Sequence, residues 1–554
     1  MPWKVKSTVS GGIKLTKAQS KAYSNTARKL CSFASELSSL SASWQHAAMV
    51  IASQISSLEK AGGTTKYTNS QPFASQHAKP SLTPGECMLY ANECKQISNN
   101  LEQLSEIIIR ANNIYEDAEV QAKENFDNKI ALMTAIAPIT SLPFFVSAAF
   151  AVLEDSMEHS GFKHFAKWSN ATRHIQQGTI RGFSQSMMIN PITGLPIFTL
   201  GAVQNSRVKK IRIDKFNKFG LKKKIITNKL LNNIKRNIQS PVPFVSGALS
   251  LGTAALNNHI QGNTLRVTRI SQPWKKAKFV LPKPGRNLSE ALDNLTELGR
   301  GNLSVRPPLV NPDAATIAIQ RFKRADGKTS WMVTIPGTDG KAHSPFGWEQ
   351  NLEVMSNTPL ARKQADSTRM VIEAMERSGI QSKDPVVLVG HSQGGIVAAS
   401  IASDYSKKYN IKHIVTAGSP IANHPIPKRT WVTSIEMEDE LVPSLDGKEN
   451  PMRNNWVTIR GKATHVQETP RPLPPYAMRF SGRMPAKKKF DRKGIFVDEV
   501  PEEGTLTHDL HYHKAAYEDA MQLGSKSVIA QDQHFQKIID GELQSTTLWQ
   551  GVME

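Results

Sequence analysis

The sequence predicts an α/β protein, in which a mainly parallel sheet with helices on both faces is preceded by an α-helical N-terminal domain. Two patterns indicate this fold class. Beyond about residue 311, short β-rich runs alternate with helical runs, as they do when helices connect parallel strands. In the first 128 residues, apolar side chains recur at steps of three and four, which is typical of long amphipathic helices.

The bulk properties set limits on the function. A chain of 554 residues is too long for one ordinary core, so more than one domain is expected. The formal net charge of +22 favours anionic partners such as a phospholipid surface. Three cysteines are too few for a disulfide framework, and no Cys/His spacing predicts a metal site. The N-terminus lacks an apolar core, so we expect any export to use a route other than the general secretory one.

Residues 1–128 are predicted to form a helical hairpin. One helical pattern runs from residue 13 to about 62 and a second from 84 to about 128, with a Ser/Pro-rich linker at 71–84. Long helices joined in this way pack antiparallel. On residues alone, the hairpin is an interaction or dimerisation domain.

A central tryptophan, Trp44, and the segment Tyr115–Glu119 near the end of the second helix add a resemblance. The hairpin resembles the WXG-type domains that head substrates of Gram-positive type VII secretion, although Gln45 and His46 follow the tryptophan in place of x-Gly. The resemblance implies export by that route and an export chaperone as partner. A generic helical domain is the alternative.

The middle region, residues 129–310, is apolar and basic. Uncharged tracts at 131–153, 182–206 and 241–258 are interrupted by Pro and Gly, and a lysine-rich run at 209–236 separates the last two. These tracts either pack on one another or on the hairpin, with the lysines in solvent, or contact an anionic membrane. The basic run has few aromatic residues and matches no nucleic-acid-binding module, so no nucleic-acid partner is expected.

The third region, residues 311–554, contains the chemistry. An apolar strand at 385–389 runs directly into Gly-x-Ser-x-Gly and then into an Ala-rich helix. A serine on so sharp a strand-to-helix turn is lifted above the sheet, and the helix N-terminus faces the oxygen on which charge develops. We predict that Ser392 is the nucleophile and that the neighbouring His391 lines the site without acting as the base. The glycines around it, which avoid collisions at the turn and at the helix, are Gly390, Gly394 and Gly395.

Two backbone amides are predicted to form the oxyanion hole. One is that of Gln393, which follows the nucleophile. The other belongs to the loop after the strand at 330–335, where we expect the amide of Thr338 or of Gly337.

The acid and the base should follow the serine in chain order. After a strand at 431–436, Asp439 and Glu440 are both candidates for the acid, because either carboxylate can orient an imidazole. For the base we favour His508, with His511 and His513 as alternatives.

Across about residues 312–525, the chain resembles lipase-like bacterial serine α/β-hydrolases with a Gly-x-Ser-x-Gly elbow. Four segments carry the resemblance: the elbow, the segment Ala417–Pro420, the acidic Val-Pro segment after residue 439 and the late histidine. The resemblance implies the α/β-hydrolase fold and hydrolysis of esters or lipid acyl groups through an acyl-enzyme, without metal or organic cofactor.

The sequence therefore predicts a carboxylic ester hydrolase, a lipase or phospholipase with a Ser-His-Asp/Glu triad, acting on lipids of an anionic membrane surface. It would be cytoplasmic before export and secreted or membrane-associated afterwards. An exported antibacterial toxin of this kind would also need an immunity protein. Two alternatives stay open: a membrane-inserting or adaptor protein with a vestigial hydrolase domain, and a cytosolic small-ester or thioester hydrolase.

Overall fold

The computed structural model describes residues 3–12, 17–62, 82–111, 131, 173–189, 241–260, 264–270, 283–299, 313–339, 341, 343–438, 440–465, 494–497 and 508–554. The chain divides into two compact units. Residues 15–115 form the helical unit, and residues 1–14 together with 116–554 form the catalytic unit.

The helical unit is an antiparallel pair, α1 (Lys17–Gly62) and α2 (Pro84–Ala111). Serine hydroxyls on each helix donate to backbone carbonyls of the other, for example Ser41 Oγ to the Ala91 carbonyl at 2.7 Å. Such bonds require a close approach, which only small side chains permit. The buried small residues recur every seven positions: Ala27, Ala34, Ser41 and Ala48 on α1, and Ala91, Ser98 and Ser105 on α2. The rest of the predicted second helix, including residues 115–119, lies outside the described residues.

The catalytic unit is built on one sheet. Its described strands are β1 (Trp3–Gly11), β2 (Leu265–Arg269), β3 (Ala315–Lys323), β4 (Thr329–Ile335), β5 (Pro385–His391), β6 (Asn410–Ala417), β7 (Trp431–Met437), β8 (Trp456–His465), β9 (Ile495–Val497) and β10 (Glu542–Met553). Their order is β2-β10-β3-β4-β5-β6-β7-β8-β1-β9. Strands β4 to β8 run parallel, and the flanking pairs are antiparallel. The sheet is therefore mixed, which corrects the prediction of a mainly parallel one.

Helices cover both faces of this sheet, as predicted. The described helices of this unit are α3 (Arg173–Ile189), α4 (Pro241–Ile260), α5 (Leu288–Gly299), α6 (Gln350–Val354), α7 (Pro359–Gln364), α8 (Asp366–Arg377), α9 (Gln393–Asp404), α10 (Leu510–Gln522) and α11 (Lys526–Ile539). Alternate residues of β5 enter opposite cores: Val386 and Leu388 pack with α8 and α9, while Val387 and Val389 pack with α5, α10 and α11. Because β5 is buried on both faces, its sequence is a continuous apolar run.

The first boundary of the predicted helical domain is wrong. Strand β1 lies in the catalytic sheet, paired with β8 along its whole length. Val5 and Val9 enter the core, and both the backbone N–H and the hydroxyl of Ser7 donate to Asp519 of α10, at 2.6 and 2.7 Å. In chain order, the helical unit is thus an insertion after the first strand of the catalytic unit.

The predicted separate region 129–310 is also corrected where it is described. Strand β2 pairs with β10, and Leu288, Leu292 and Leu295 of α5 are fully buried in the catalytic core. Other parts of this region lie outside the described residues: the tract 131–153 beyond Ala131, the tract 182–206 beyond residue 189, and the basic run 209–236. Among the helices that the structure describes, none has the length and apolar character needed to cross a membrane.

Candidate active site

Ser392 lies in the strained turn between β5 and α9. Its backbone has φ 50° and ψ −122°, and it is the sole non-glycine residue with positive φ in the described part of the chain. Its N–H donates to the Ala417 carbonyl of β6 at 2.8 Å, which fixes the turn at the carboxyl edge of the sheet. Such a conformation costs about 1–3 kcal/mol and is retained where function needs it.

The three glycines of the elbow allow close backbone contacts. A Cβ on Gly390 would lie 2.4 Å from the Gly394 carbonyl, and one on Gly394 would lie 2.2 Å from the Ile335 oxygen. A Cβ on Gly395 would lie 2.1 Å from Ser419 Oγ. The Gly390 collision is with the helix and the Gly394 collision is with β4, whereas the Gly395 collision is with Ser419, which follows β6.

Glu440 is the acid that the structure brings to a histidine. It lies in the loop after β7 and is 1% exposed. Its Oε1 accepts a hydrogen bond from Nδ1 of His508, and its Oε2 accepts the backbone N–H of Met437 at 3.1 Å and Nε2 of His513 at 3.0 Å. Burial alone would raise the pKa of Glu440, but the charges of His513 and His508 and their hydrogen bonds hold that pKa well below its usual range. Asp439, the other predicted acid, lies outside the described residues.

His508 is oriented from two sides. Because its Nδ1 donates to Glu440, its Nε2 is left for a reacting group, as a general base requires. His391 donates from Nε2 to the His508 carbonyl at 2.9 Å, and the two rings lie 4.6 Å apart. Burial, together with the neighbouring His508 and His513, lowers the pKa of His391 to about 3, so its ring is neutral.

Ser392 and His508 are linked through His391, which precedes Ser392 in the chain and donates to the His508 carbonyl, but no hydrogen bond among the described residues joins their side chains. Among the described residues, the hydrogen-bond partners of His508 are Glu440 and His391, and Ser392 Oγ is not one of them. Catalytic hydrogen bonds are often long without substrate and tighten when it binds.

The two alternative bases differ in their surroundings. His511 bonds Asp509 and has a side chain that is 37% exposed, and it makes no bond to Glu440. His513 is fully buried against Glu440. The structure therefore brings two of the three predicted histidines to the acid.

Gly418 has a role that the sequence did not reveal. Its φ is +59°, and a Cβ there would lie 2.5 Å from Glu440 Oε1 and 2.8 Å from His508 Nδ1. The acid–base pair is thus packed directly on the Gly418 backbone. The segment Ala417–Pro420 was recognised in the sequence, but its contact partners lie far away in the chain.

The predicted oxyanion loop follows β4 and passes beside the serine. A Cβ on Gly337 would lie 3.0 Å from Ser392 Cβ. Thr338 Oγ1 accepts from Asn351 at 3.2 Å, and Ser344 Oγ donates to Asp339 at 2.7 Å. These bonds hold the loop from within, and burial raises the pKa of Asp339.

The second predicted oxyanion amide is that of Gln393, the first residue of α9. An amide in the first turn has no carbonyl partner within its own helix, so it is available to an anion. The fully buried Gln393 side chain donates to the Gly347 carbonyl at 2.9 Å, which ties the elbow to the segment that precedes α6.

One group of side chains could hold a metal ion. In the described part of the chain, donor atoms of Glu440, His508 and His513 lie within 4.8 Å of one another. These atoms already satisfy each other by hydrogen bonds, as the acid and base of a triad would.

Helices α3 and α4 pack beside the acid. Ile180 of α3 and Val242 of α4 form an apolar cluster with Leu441, the residue after Glu440. The Pro243 carbonyl accepts the backbone N–H of Asn357 at 3.0 Å. The described part of the apolar tract 241–258 therefore packs within the catalytic unit.

Residues 354–460 match the PGAP1-like alpha/beta domain, a hydrolase-type α/β family. The match includes the elbow and Glu440 and ends before His508. No curated protein and no solved structure matches the chain. Over these residues the chain is thus similar to α/β-hydrolase domains, which suggests a hydrolase of the lipase/esterase type.

Proposed function

We propose that this protein is a carboxylic ester hydrolase in which Ser392 attacks the ester carbonyl. His508 takes the serine proton and returns it to the leaving alcohol, while Glu440 holds the imidazole and stabilises its cation. The amides of Gln393 and of Thr338 or Gly337 bind the oxyanion. A water molecule activated by His508 then releases the acid from the acyl-enzyme. The observation that supports this most is the strained Ser392 at the same sheet edge as the Glu440–His508 pair.

Hydrolysis of p-nitrophenyl butyrate by the purified full-length chain tests this proposal. Ser392→Ala should lower kcat by at least about 10⁴-fold. The matched control is Ser403→Ala on the same helix α9, whose hydroxyl bonds only the Ala399 carbonyl, and it should keep wild-type activity. Equal activity of Ser392→Ala and wild type would overturn the proposal. Equal vesicle leakage by the two proteins, without hydrolysis, would favour the membrane-inserting alternative with a vestigial hydrolase.

We further propose a lipid substrate at an anionic membrane surface, as for a lipase or phospholipase. The net charge of +22 supports binding to such a surface. One large apolar side chain near the site is exposed: Trp348 at 37%, which follows the Gly347 carbonyl bonded by Gln393. An exposed tryptophan at the rim of a site suits the membrane–water interface.

The variant Trp348→Ser separates lipid from soluble substrates. Activity on vesicles with anionic phospholipid should fall about tenfold, because burial of an aromatic side chain in the interface is lost, while activity on p-nitrophenyl butyrate should stay unchanged. Equal loss on both substrates, or on neither, would contradict interfacial action and favour a small-ester hydrolase.

The helical unit is proposed to bind a helical partner, such as an export chaperone of a type VII route. Because α1 and α2 pack through small residues, their large side chains are left outside, with Phe33 53%, Leu89 52% and Ile97 49% exposed. Exposed apolar rows on both helices are typical of protein-binding surfaces. Ile97→Ser should abolish export from the producing cell without changing ester hydrolysis, and normal export of that variant would contradict this role. An antibacterial role would further require an immunity protein.

A further inference from the structure

The triad acid contacts a second imidazole that the hydrolytic mechanism does not use. His513 Nε2 lies 3.0 Å from Glu440 Oε2, opposite the oxygen that bonds His508. Its other nitrogen, Nδ1, lies 3.1 Å from the Asp509 carbonyl. Both side chains are almost completely buried, with His513 0% and Glu440 1% exposed.

These contacts determine the protonation of His513. A backbone carbonyl only accepts, so Nδ1 must carry a hydrogen. An ionised carboxylate also only accepts, so Nε2 must carry one too. Glu440 Oε2 additionally accepts the Met437 N–H at 3.1 Å, which favours the ionised carboxylate. With both nitrogens donating, the ring is an imidazolium.

We propose that His513 is a positioning residue: a buried cation that fixes Glu440 by its second oxygen and thereby limits how strongly Glu440 pulls a proton onto His508. The proposal rests on the esterase function above. A buried carboxylate with no charge partner is costly, and His513 supplies that partner. Burial would lower the pKa of His513, but the charge and hydrogen bond of Glu440, aided by the Asp509 carbonyl and carboxylate, raise it instead.

Among the described residues, the titratable groups that face His513 are Glu440, Asp509, His508 and His391. Glu440 and Asp509 carry negative charge, and the rings of His508 and His391 lie 6.2 and 5.9 Å away. His391 is neutral, so the charge balance at the site depends on Glu440, Asp509, His513 and the proton that His508 gains during catalysis. A cation on the far oxygen of Glu440 offsets part of the negative charge that this carboxylate presents to His508.

The variant His513→Gln keeps a donor toward Glu440 but removes the charge. The acid limb of its kcat/KM profile on p-nitrophenyl butyrate should move to higher pH by about one unit, because His508 then holds a proton more tightly. His46→Gln, which changes an exposed histidine of the helical unit, is the matched control and should keep the wild-type profile. An unchanged acid limb in His513→Gln would overturn the proposal.

A second measurement does not depend on activity. In ¹⁵N-histidine NMR spectra of the full-length protein at pH 8, one ring should be doubly protonated, and its signal should be missing from His513→Gln. A neutral His513 at that pH would overturn the proposal even if the protein is an esterase. If the imidazolium is present but Ser392-dependent hydrolysis is not, the proposed function fails and the charge assignment stands.

Discussion

The packing of the acid–base pair on Gly418 predicts that one added methyl group will disable the enzyme. In Gly418→Ala the new Cβ would lie 2.5 Å from Glu440 Oε1, whereas ordinary contact begins near 3.4 Å. Either the carboxylate or the backbone must therefore move by about 0.9 Å. The carboxylate cannot retreat freely, because its other oxygen is bonded to Met437 and His513.

A displacement of about 1 Å at a catalytic group costs roughly 100-fold in rate. We therefore expect kcat/KM of Gly418→Ala on p-nitrophenyl butyrate to fall about 100-fold, with a smaller change in KM. The left-handed backbone adds about 1–2 kcal/mol of strain, which Gly379→Ala isolates, because Gly379 has φ +83° and no atom within 4 Å of its added Cβ. Gly379→Ala should lose stability in urea and keep its activity. Activity of Gly418→Ala within threefold of wild type would refute the packing argument.

Three stability predictions follow from other parts of the catalytic unit. Arg362 donates two hydrogen bonds of 2.7 Å to Asp404, and Arg362→Ala leaves that carboxylate buried without this partner. Urea unfolding should therefore show a loss of stability of about 3–5 kcal/mol, and a loss below 1 kcal/mol would contradict this. Burial, with the nearby Asp366 and Glu349, raises the pKa of Glu353 to about 8. As the pH rises, Glu353 therefore ionises in the unfolded state before it ionises in the folded state, so the free energy of unfolding of the wild-type protein falls between about pH 5 and 8. Glu353→Gln should escape that fall, and parallel Tm curves for the two proteins would exclude the effect. Asp519→Ala leaves the buried Ser7 N–H of β1 without this acceptor and should cost about 1–3 kcal/mol in urea unfolding, while an unchanged midpoint would show that this bond does not hold β1.

The elbow and the alternation of strands and helices could be predicted because their causes are local. A buried strand, a sharp turn and a helix are encoded within about fifteen residues around Ser392. The structure has β5 at Pro385–His391, where a strand at 385–389 is predicted, followed by α9 at Gln393–Asp404.

The missed features depend on partners that are distant in the chain. Strand β1 precedes a long helix, and its partner β8 lies more than 440 residues later in the chain, so its alternating Val5, Ser7 and Val9 gave a weak signal. Likewise, Gly418 is needed only because Glu440 and His508 approach it. The sequence could not show whether Asp439 or Glu440 is the acid. The burial of the Glu440 carboxylate depends on the turn in which it accepts a hydrogen bond from the Met437 amide, and this turn is visible only in the structure.

The account depends most directly on Ser392 being a nucleophile activated by His508. Incubation of the full-length protein with a fluorophosphonate, followed by peptide mass spectrometry, measures this without any assumption about the substrate. We predict one covalent adduct, located on Ser392, and its loss in both Ser392→Ala and His508→Ala. An unlabelled wild-type protein, or an adduct that persists in Ser392→Ala, would contradict the central claim.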